Sequence, residues 1–452
     1  MKITFLGAIE EVAGSRYLVE HEDTKVLVDC GLFQGNSELR KYNWDKFPID
    51  PSRIDAVVLT HAHIDHSGYI PVLVKNGFKN KIYCSSATFE LCSILLVDGG
   101  VLQEEDANNA NKHVCSSHHP ALPLYTKIDA EHSLKFFQVI DYDTVLTIGK
   151  SLKITLIRSG HILGSSFITI SDGKQTITFS GDLARPNQLL MKPPTHLKKT
   201  DFLVIESTYG DRLHEEGDPI KVIGEVVNKT VAKGGVLIIP AFAVGRTQTI
   251  LYCLYQLKQK KIIPNIPIFL DSPMAINVTN LLCTFKDDVK LSSTLCTDIC
   301  DIATYTRTRE ESRQIDRVKG SSIIIAASGM ATGGRVLHHF RHFISDSKNT
   351  ILFVGFQANG TTGQALVDGA KEIEIHGKIY SVHAEIKAIE TFSGHADYNE
   401  ILEWIGYFEG GPKKVFVTHG EIEAAQPLKK KIEERFGCSV VIPKYLESFE
   451  LN

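Results

Sequence analysis

Five apolar stretches of this chain end alike. KVLVDCG (25–31), DAVVLTHAH (55–63), LKITLIRSGH (152–161), TITFSGD (176–182) and KVFVTHG (414–420) each pass from branched aliphatic residues to an Asp or a His. Runs of this length and composition read as strands, and four of them meet a glycine where the chain must turn. A sheet whose strands finish on such side chains carries them on one rim. That fits a layered sheet protein with a polar site at its strand ends.

One ending is denser than the rest. LTHAHIDHSGYIP (59–71) holds His61, His63, Asp65 and His66 within six positions, in a chain with 18 histidines among 452 residues. His61 and His63 are two apart on extended backbone and face one way. The chain then turns, so Asp65 and His66 approach from a second side. Imidazole nitrogens and a carboxylate suit zinc or a similar divalent ion, and two sets this close suit two ions. His161, Asp182 and His419, at other strand ends, are candidates to complete the sets. Asp29 is a candidate to orient the histidines from behind. Taken singly, each of these is also ordinary turn chemistry.

The length points to two or three domains. A hydrophobic fraction of 43% and a charged fraction of 23% are those of a soluble globular protein. The net charge of −4 gives no general attraction to nucleic acid, so a polyanion would be held by a local basic surface or by metal. Nine cysteines without a CxxC argue against a disulfide framework and for a reducing cytosol. The apolar run GVLIIPAFAVG (235–245) is too short to span a bilayer and contains a proline. The opening MKITFLGA reads as a strand and lacks the features of a signal peptide. A cytoplasmic protein with no membrane partner is expected.

Three blocks follow one another. Residues 1–207 are rich in hairpins, such as RYLVE with KVLVDC and SFITI with TITFS. Residues 208–375 alternate strand and helix, which predicts a mainly parallel sheet flanked by helices. Residues 376–452 return to strand-rich text, so the middle block reads as an insertion.

Together these residues resemble the metallo-β-lactamase superfamily, through HxHxDH with Asp29, His161 and Asp182. The middle block resembles its β-CASP branch of nucleases, through ESTYGDR (206–212), PAFAVGRTQ (240–248), DSPMA (271–275), SGMATGGR (328–335), FSGHADY (392–398) and VTHGE (417–421). The resemblance implies an α/β fold: an αββα sandwich interrupted by a β-CASP domain. It implies one ion on His61, His63 and His161, a second on Asp65, His66 and His419, and Asp182 bridging them. In such sites the ions lie about 3.5–4 Å apart, and a hydroxide between them attacks phosphorus. Two zinc ions are expected, with manganese the alternative. The implied catalytic residues are Asp65, Glu206 and His395, the imidazole protonating the leaving 3′-oxygen while the glutamate keeps it charged.

In that family, RNA-directed members carry the histidine found here at His419. Single-stranded RNA is therefore the expected partner and hydrolysis of its phosphodiester bonds, mainly endonucleolytic, the expected activity. A homodimer is compatible with the sequence. Two rival readings stay open: a small-molecule ester or lactam hydrolase of the same sandwich, and a non-catalytic RNA-binding scaffold. The complete ligand set disfavours the second. The SGMATGGR turn predicts phosphate contact by Ser328, Gly329 and Arg335, with Arg246 a weaker candidate. His338 and His339 read as packing or solvated helix residues. His113, His118 and His119 read as a surface loop.

Overall fold

The hairpin expected from RYLVE and KVLVDC forms: Tyr17–His21 pairs antiparallel with Thr24–Val28, Tyr17 opposite Val28. The computed structural model describes residues 1–35, 37–113, 120–215, 217–355, 357, 360–389 and 392–452. Two seven-stranded sheets are built from pieces of this kind. The first runs Ser448–Glu450, Lys2–Phe5, Tyr17–His21, Thr24–Val28, Ala56–Val58, Lys81–Cys84, Phe137–Val139. The second runs Ser439–Val441, Lys414–Thr418, Phe202–Glu206, Thr176–Phe179, Ser166–Ser171, Leu152–Arg158, Val145–Ile148.

Alternation along these strands makes the core. Ile3, Phe5, Val26 and Val28 of the first sheet and Ile154, Ile168, Ile177 and Phe179 of the second are buried in one shared cluster. Each such side chain contributes roughly 1.5–3 kcal/mol by leaving water. A one-residue slip would turn the whole set outward, so register is strongly fixed. The second sheet buries its other face, including Leu203, Ile205 and Val417, among residues of helices Tyr398–Ile405 and Ile422–Phe436. On the first sheet's side, helix Ser86–His113 lies along helix Lys127–Ser133 and strand Phe137–Val139. The layers are therefore helix, sheet, sheet, helix.

Helix Ser86–His113 is a longer candidate span than the 235–245 run. Its Ser86–Lys112 stretch is long and apolar enough to cross a membrane by length and composition. Leu91, Cys92, Leu95 and Leu96 are nonetheless buried within the protein, and the helix carries Asp98, Glu104, Glu105 and Asp106. Among the described residues every cysteine is a free thiol.

The chain divides into two compact units: 1–213 with 394–452, and 214–393. The second unit holds a six-stranded sheet in the order Thr304–Tyr305, Ile268–Asp271, Ile323–Ala326, Leu237–Pro240, Thr350–Val354, Glu385–Ile389. All its pairings are parallel. Ile238, Ile324 and Phe353 are buried with Val336 and Phe340 of helix Arg335–Phe343, as the strand–helix alternation predicts. The return to the sandwich comes later than the expected 376. Strand Glu385–Ile389 pairs with Thr350–Val354, Thr350 opposite Glu385, so residues 376–389 fold with the inserted unit.

Candidate metal centre

The sandwich aligns its ligand-bearing strands. Thr24–Val28 and Ala56–Val58 are parallel, as are Thr176–Phe179, Phe202–Glu206 and Lys414–Thr418. Leu152–Arg158 runs with them through two antiparallel steps. Asp29, His61, His161, Asp182, Glu206 and His419 thus all stand at or just past carboxyl ends. The backbone there is strained: Asp29 (φ 57°) and His419 (φ 48°) occupy the left-handed region, at a cost of about 1–3 kcal/mol each. A side chain at Gly31 would place its Cβ 1.6 Å from the Asp65 carbonyl oxygen. The short helix Ile64–Ser67, which presents Asp65 and His66, therefore packs directly on the backbone after Asp29.

Two groups of donor atoms result. In the first, His61, His63, His161 and Asp182 bring one donor each within 4.8 Å of one another. Asp182 Oδ2 lies 3.3 Å from both His61 Nε2 and His161 Nε2, and 3.9 Å from His63 Nδ1. The second group is Asp65, His66 and His419. His419 Nε2 lies 3.1 Å from Asp65 Oδ2 and 3.2 Å from His66 Nε2. Asp182 reaches this group with its other oxygen: Oδ1 lies 3.1 Å from His66 Nε2 and 3.6 Å from His419 Nδ1. That Oδ1 is buried and makes no hydrogen bond.

An orphaned buried carboxylate oxygen facing converging imidazole nitrogens is what a cation would satisfy. The protonation states agree. Burial pushes His61 down to about 3 and His161 well below its ordinary range, so both keep the lone pair that ligation needs. Burial also works against a charged His66, but Asp182, Asp65 and Asp29 outweigh it and raise this imidazole well above the ordinary value. Without an ion, that proton supplies the positive charge the carboxylates require. A cation held by these residues would displace it. Burial favours neutral Asp182 and Asp65, yet the surrounding imidazoles hold both carboxyls well below the usual range.

A supporting layer fixes the donors. His66 Nδ1 lies 2.8 Å from Asp29 Oδ2. Asp29 in turn accepts from the Thr60 amide and hydroxyl, both at 2.7 Å, and the same hydroxyl lies 3.0 Å from His61 Nδ1. Thr60 thus joins both groups to one anchor. The sequence reading passed it over, although it directly precedes His61 at the end of DAVVLT.

Glu206 and His395 form a separate pair beside the groups. His395 Nδ1 lies 3.0 and 3.1 Å from the two Glu206 oxygens. The carboxylate is buried and accepts from the Leu183 amide at 2.6 Å and from the Thr208 hydroxyl at 2.5 Å. Burial lowers the affinity of His395 for a proton, but Glu206 and Asp182 prevail and raise it to about 9. Thr208, two residues from Glu206, is the other functional side chain missed from sequence.

The predicted phosphate contacts belong to the inserted unit, at the carboxyl ends of its parallel strands. The Arg335 guanidinium donates to Asp271 Oδ1 at 2.5 Å and to the Thr306 and Arg307 carbonyls. A charged side chain tied to a buried aspartate is a brace for the fold, a role that the sequence reading did not assign to Arg335. Ser328 donates its amide to the Gly333 carbonyl and accepts from the Thr332 amide with its hydroxyl, closing the SGMATGG turn on itself. Gly329 packs under Phe242, and the Arg246 guanidinium lies against Gly355. The His113, His118 and His119 loop falls at 113–119: 114–119 lie outside the described residues, as does the side chain of 113.

The sequence is similar to known proteins along its length. A model of the metallo-β-lactamase superfamily matches residues 10–223, one of the β-CASP domain matches 247–366, and one of a zinc-dependent metallo-hydrolase RNA specificity domain matches 379–443. Ribonuclease TTHA0252 of Thermus thermophilus is 34% identical and covers 99% of each chain. The chain belongs to the β-CASP family of the metallo-β-lactamase superfamily. The chain is also similar to transcription termination factor FttA of Methanosarcina mazei, 31% identical over 96% of this chain and 70% of its own. A crystal structure of a protein of unknown function from Enterococcus faecalis superposes with a TM-score of 0.57 over 100% of this chain and 99% of that one, at 14% identity. That likeness concerns the fold alone. Membership in this family makes the protein a metal-dependent RNA nuclease and its metal chemistry that of zinc.

Proposed function

We propose that this protein cleaves single-stranded RNA endonucleolytically with two zinc ions, one on His61, His63 and His161 and one on Asp65, His66 and His419, sharing Asp182. The observation that carries the reading is the Asp182 carboxylate, each oxygen turned to a different histidine group and one of them without a hydrogen bond. Ions in these places would supply Lewis acidity, neutralising the scissile phosphate and lowering the pKa of the attacking water.

The chain's own residues do the rest. Asp29 and Thr60 hold His61 and His66 in the tautomers that present Nε2 to the centre. With Nδ1 on Glu206, His395 is a cation whose Nε2 proton is the one to pass to the leaving 3′-oxygen. Its raised affinity suits an acid that must be protonated at neutral pH. Phosphate contact from the inserted unit is proposed for Ser328, Gly329, Arg335 and Arg246. Circular single-stranded RNA has no ends, so its cleavage tests the endonucleolytic reading. Two zinc ions per chain with linearised circles is the expected result. A protein that degrades linear RNA and leaves circles intact is an exonuclease.

A further inference from the structure

A third group of metal-type donors lies in the inserted unit. His338 and His342, four apart on helix Arg335–Phe343, share one helix face. Asp316, just past helix Arg309–Ile315, meets them from outside that helix. Its Oδ2 lies 2.7 Å from His338 Nε2 and 3.3 Å from His342 Nε2. One donor atom from each residue falls within 4.8 Å of the other two. Nitrogen ligands at 2.0–2.1 Å in a tetrahedron stand about 3.3 Å apart, so small side-chain rotations suffice to close the set on an ion.

Two details distinguish this cluster from an ordinary imidazole–carboxylate pair. The buried His338 Nε2 makes no hydrogen bond, although Asp316 Oδ2 lies so near. Asp316 is also held from behind: its Oδ1 lies 2.9 Å from His339 Nδ1, whose Nε2 lies 2.8 Å from the buried Asp271. A carboxylate with one oxygen anchored by an outer imidazole and the other facing two imidazoles has the layout of a ligand with its supporting shell.

We infer that Asp316, His338 and His342 bind a divalent transition-metal ion of the zinc or nickel class. The His342 side chain is 47% exposed, so water completes the coordination from the open side. The ligand types, two nitrogens and one oxygen, exclude a preference for calcium or magnesium. The ion would tie together the segments on either side of strand Ile323–Ala326, and with them the base of the SGMATGG turn. This site is independent of the ribonuclease centre.

The test is a count of ions. Protein stripped with a chelator is titrated with Ni²⁺ alone by calorimetry, in parallel with His342→Ala and His338→Gln. The exposed His342 makes the first substitution mild for folding, and the second keeps the volume of the half-buried ring. Both variants are expected to bind one equivalent fewer than the parent, or to bind that equivalent more weakly by well over the ~10–100-fold typical of losing an outer-shell partner. RNA cleavage should be unchanged. Equal equivalents and affinities in all three proteins overturn the proposal. Because the readout is a difference between variants intact at Asp182, it stands whether or not the two-ion reading of the ribonuclease centre survives.

Discussion

Two buried aspartates, one in each unit, follow parallel strands and have opposite surroundings. Asp271 ends Ile268–Asp271 and has every lone pair engaged: Oδ1 accepts from Thr306 and Arg335, and Oδ2 accepts from Ser312 and faces His339. Asp182 lies three residues past Thr176–Phe179, among six histidines, with Oδ1 making no hydrogen bond. Burial is nearly the same, 0% and 2% exposed, and both carboxyls are held low. What differs is completeness. Where protein donors saturate a buried charge, the charge is structure. Where they leave it short, something from outside the chain completes it.

Exchanging the fates of the two aspartates is the most direct way to break this comparison. Asp182→Ala should lose ions and drop RNA cleavage by more than the ~10²–10⁴-fold at stake in general acid catalysis, with little loss of thermal stability in chelator. Asp271→Ala should do the reverse. It leaves the Arg335 charge and His339 without their partner, which costs roughly 3–5 kcal/mol of folding stability, while the ion count at the sandwich centre stays unchanged. Metal analysis beside chemical denaturation reads both. The distinction collapses if Asp182→Ala keeps all its ions.

The next effect is smaller and separates ligand from acid. Asp182, Glu206 and His395 also form a group that could hold a cation, so His395→Ala decides between roles. As a proton donor, His395 is worth about 10²–10⁴-fold on ordinary RNA, and the variant should keep its ions. A substrate with sulfur in place of the 3′ leaving oxygen needs little protonation and should recover most of the rate. Loss of metal in His395→Ala would make it a ligand instead.

A still smaller effect concerns Thr60, which marks how far the sequence was legible. The seven proposed ligands could be read because alternating strands run straight into them, and ending on Asp or His is conspicuous. A threonine before a histidine is not: its role depends on Asp29, 31 positions away. The bracing role of Arg335 was hidden for the same reason. An arginine opening a helix after glycines suggests phosphate, and nothing in that stretch points to its bond with Asp271, 64 positions earlier. The domain return at 394 rather than 376 turned on one strand with mostly half-exposed or exposed residues, Glu385–Ile389, whose partner lies far back in the chain. Thr60→Val keeps shape and removes the hydroxyl. It should weaken zinc binding by about 10–100-fold, as loss of an outer-shell partner does, and competition with a chromogenic chelator would measure it. Unchanged affinity would leave Asp29 as the sole anchor.

The smallest expected effect is in the pH dependence of stability, measured after the ions are removed. His395 has its folded pKa raised to about 9 by Glu206 and Asp182, against the opposing effect of burial. In the unfolded chain an imidazole titrates near 6.5. A group whose folded pKa is raised contributes stability that is fully present below the unfolded value and lost as pH rises through the folded one. The increment from the His395–Glu206 pair should therefore fade between about pH 6.5 and about pH 9. Glu206→Gln removes the larger of the charges that raise this imidazole, so less remains to fade. Denaturation curves across that window should show the parent's advantage over Glu206→Gln shrinking as pH rises. Asp271 offers the control, because its carboxyl is held low and stays ionised throughout this range. A gap between parent and Glu206→Gln that stays constant from pH 6 to 9 would mean that His395 is not held as a cation by this carboxylate, and the proposed acid would lose the charge on which its role depends.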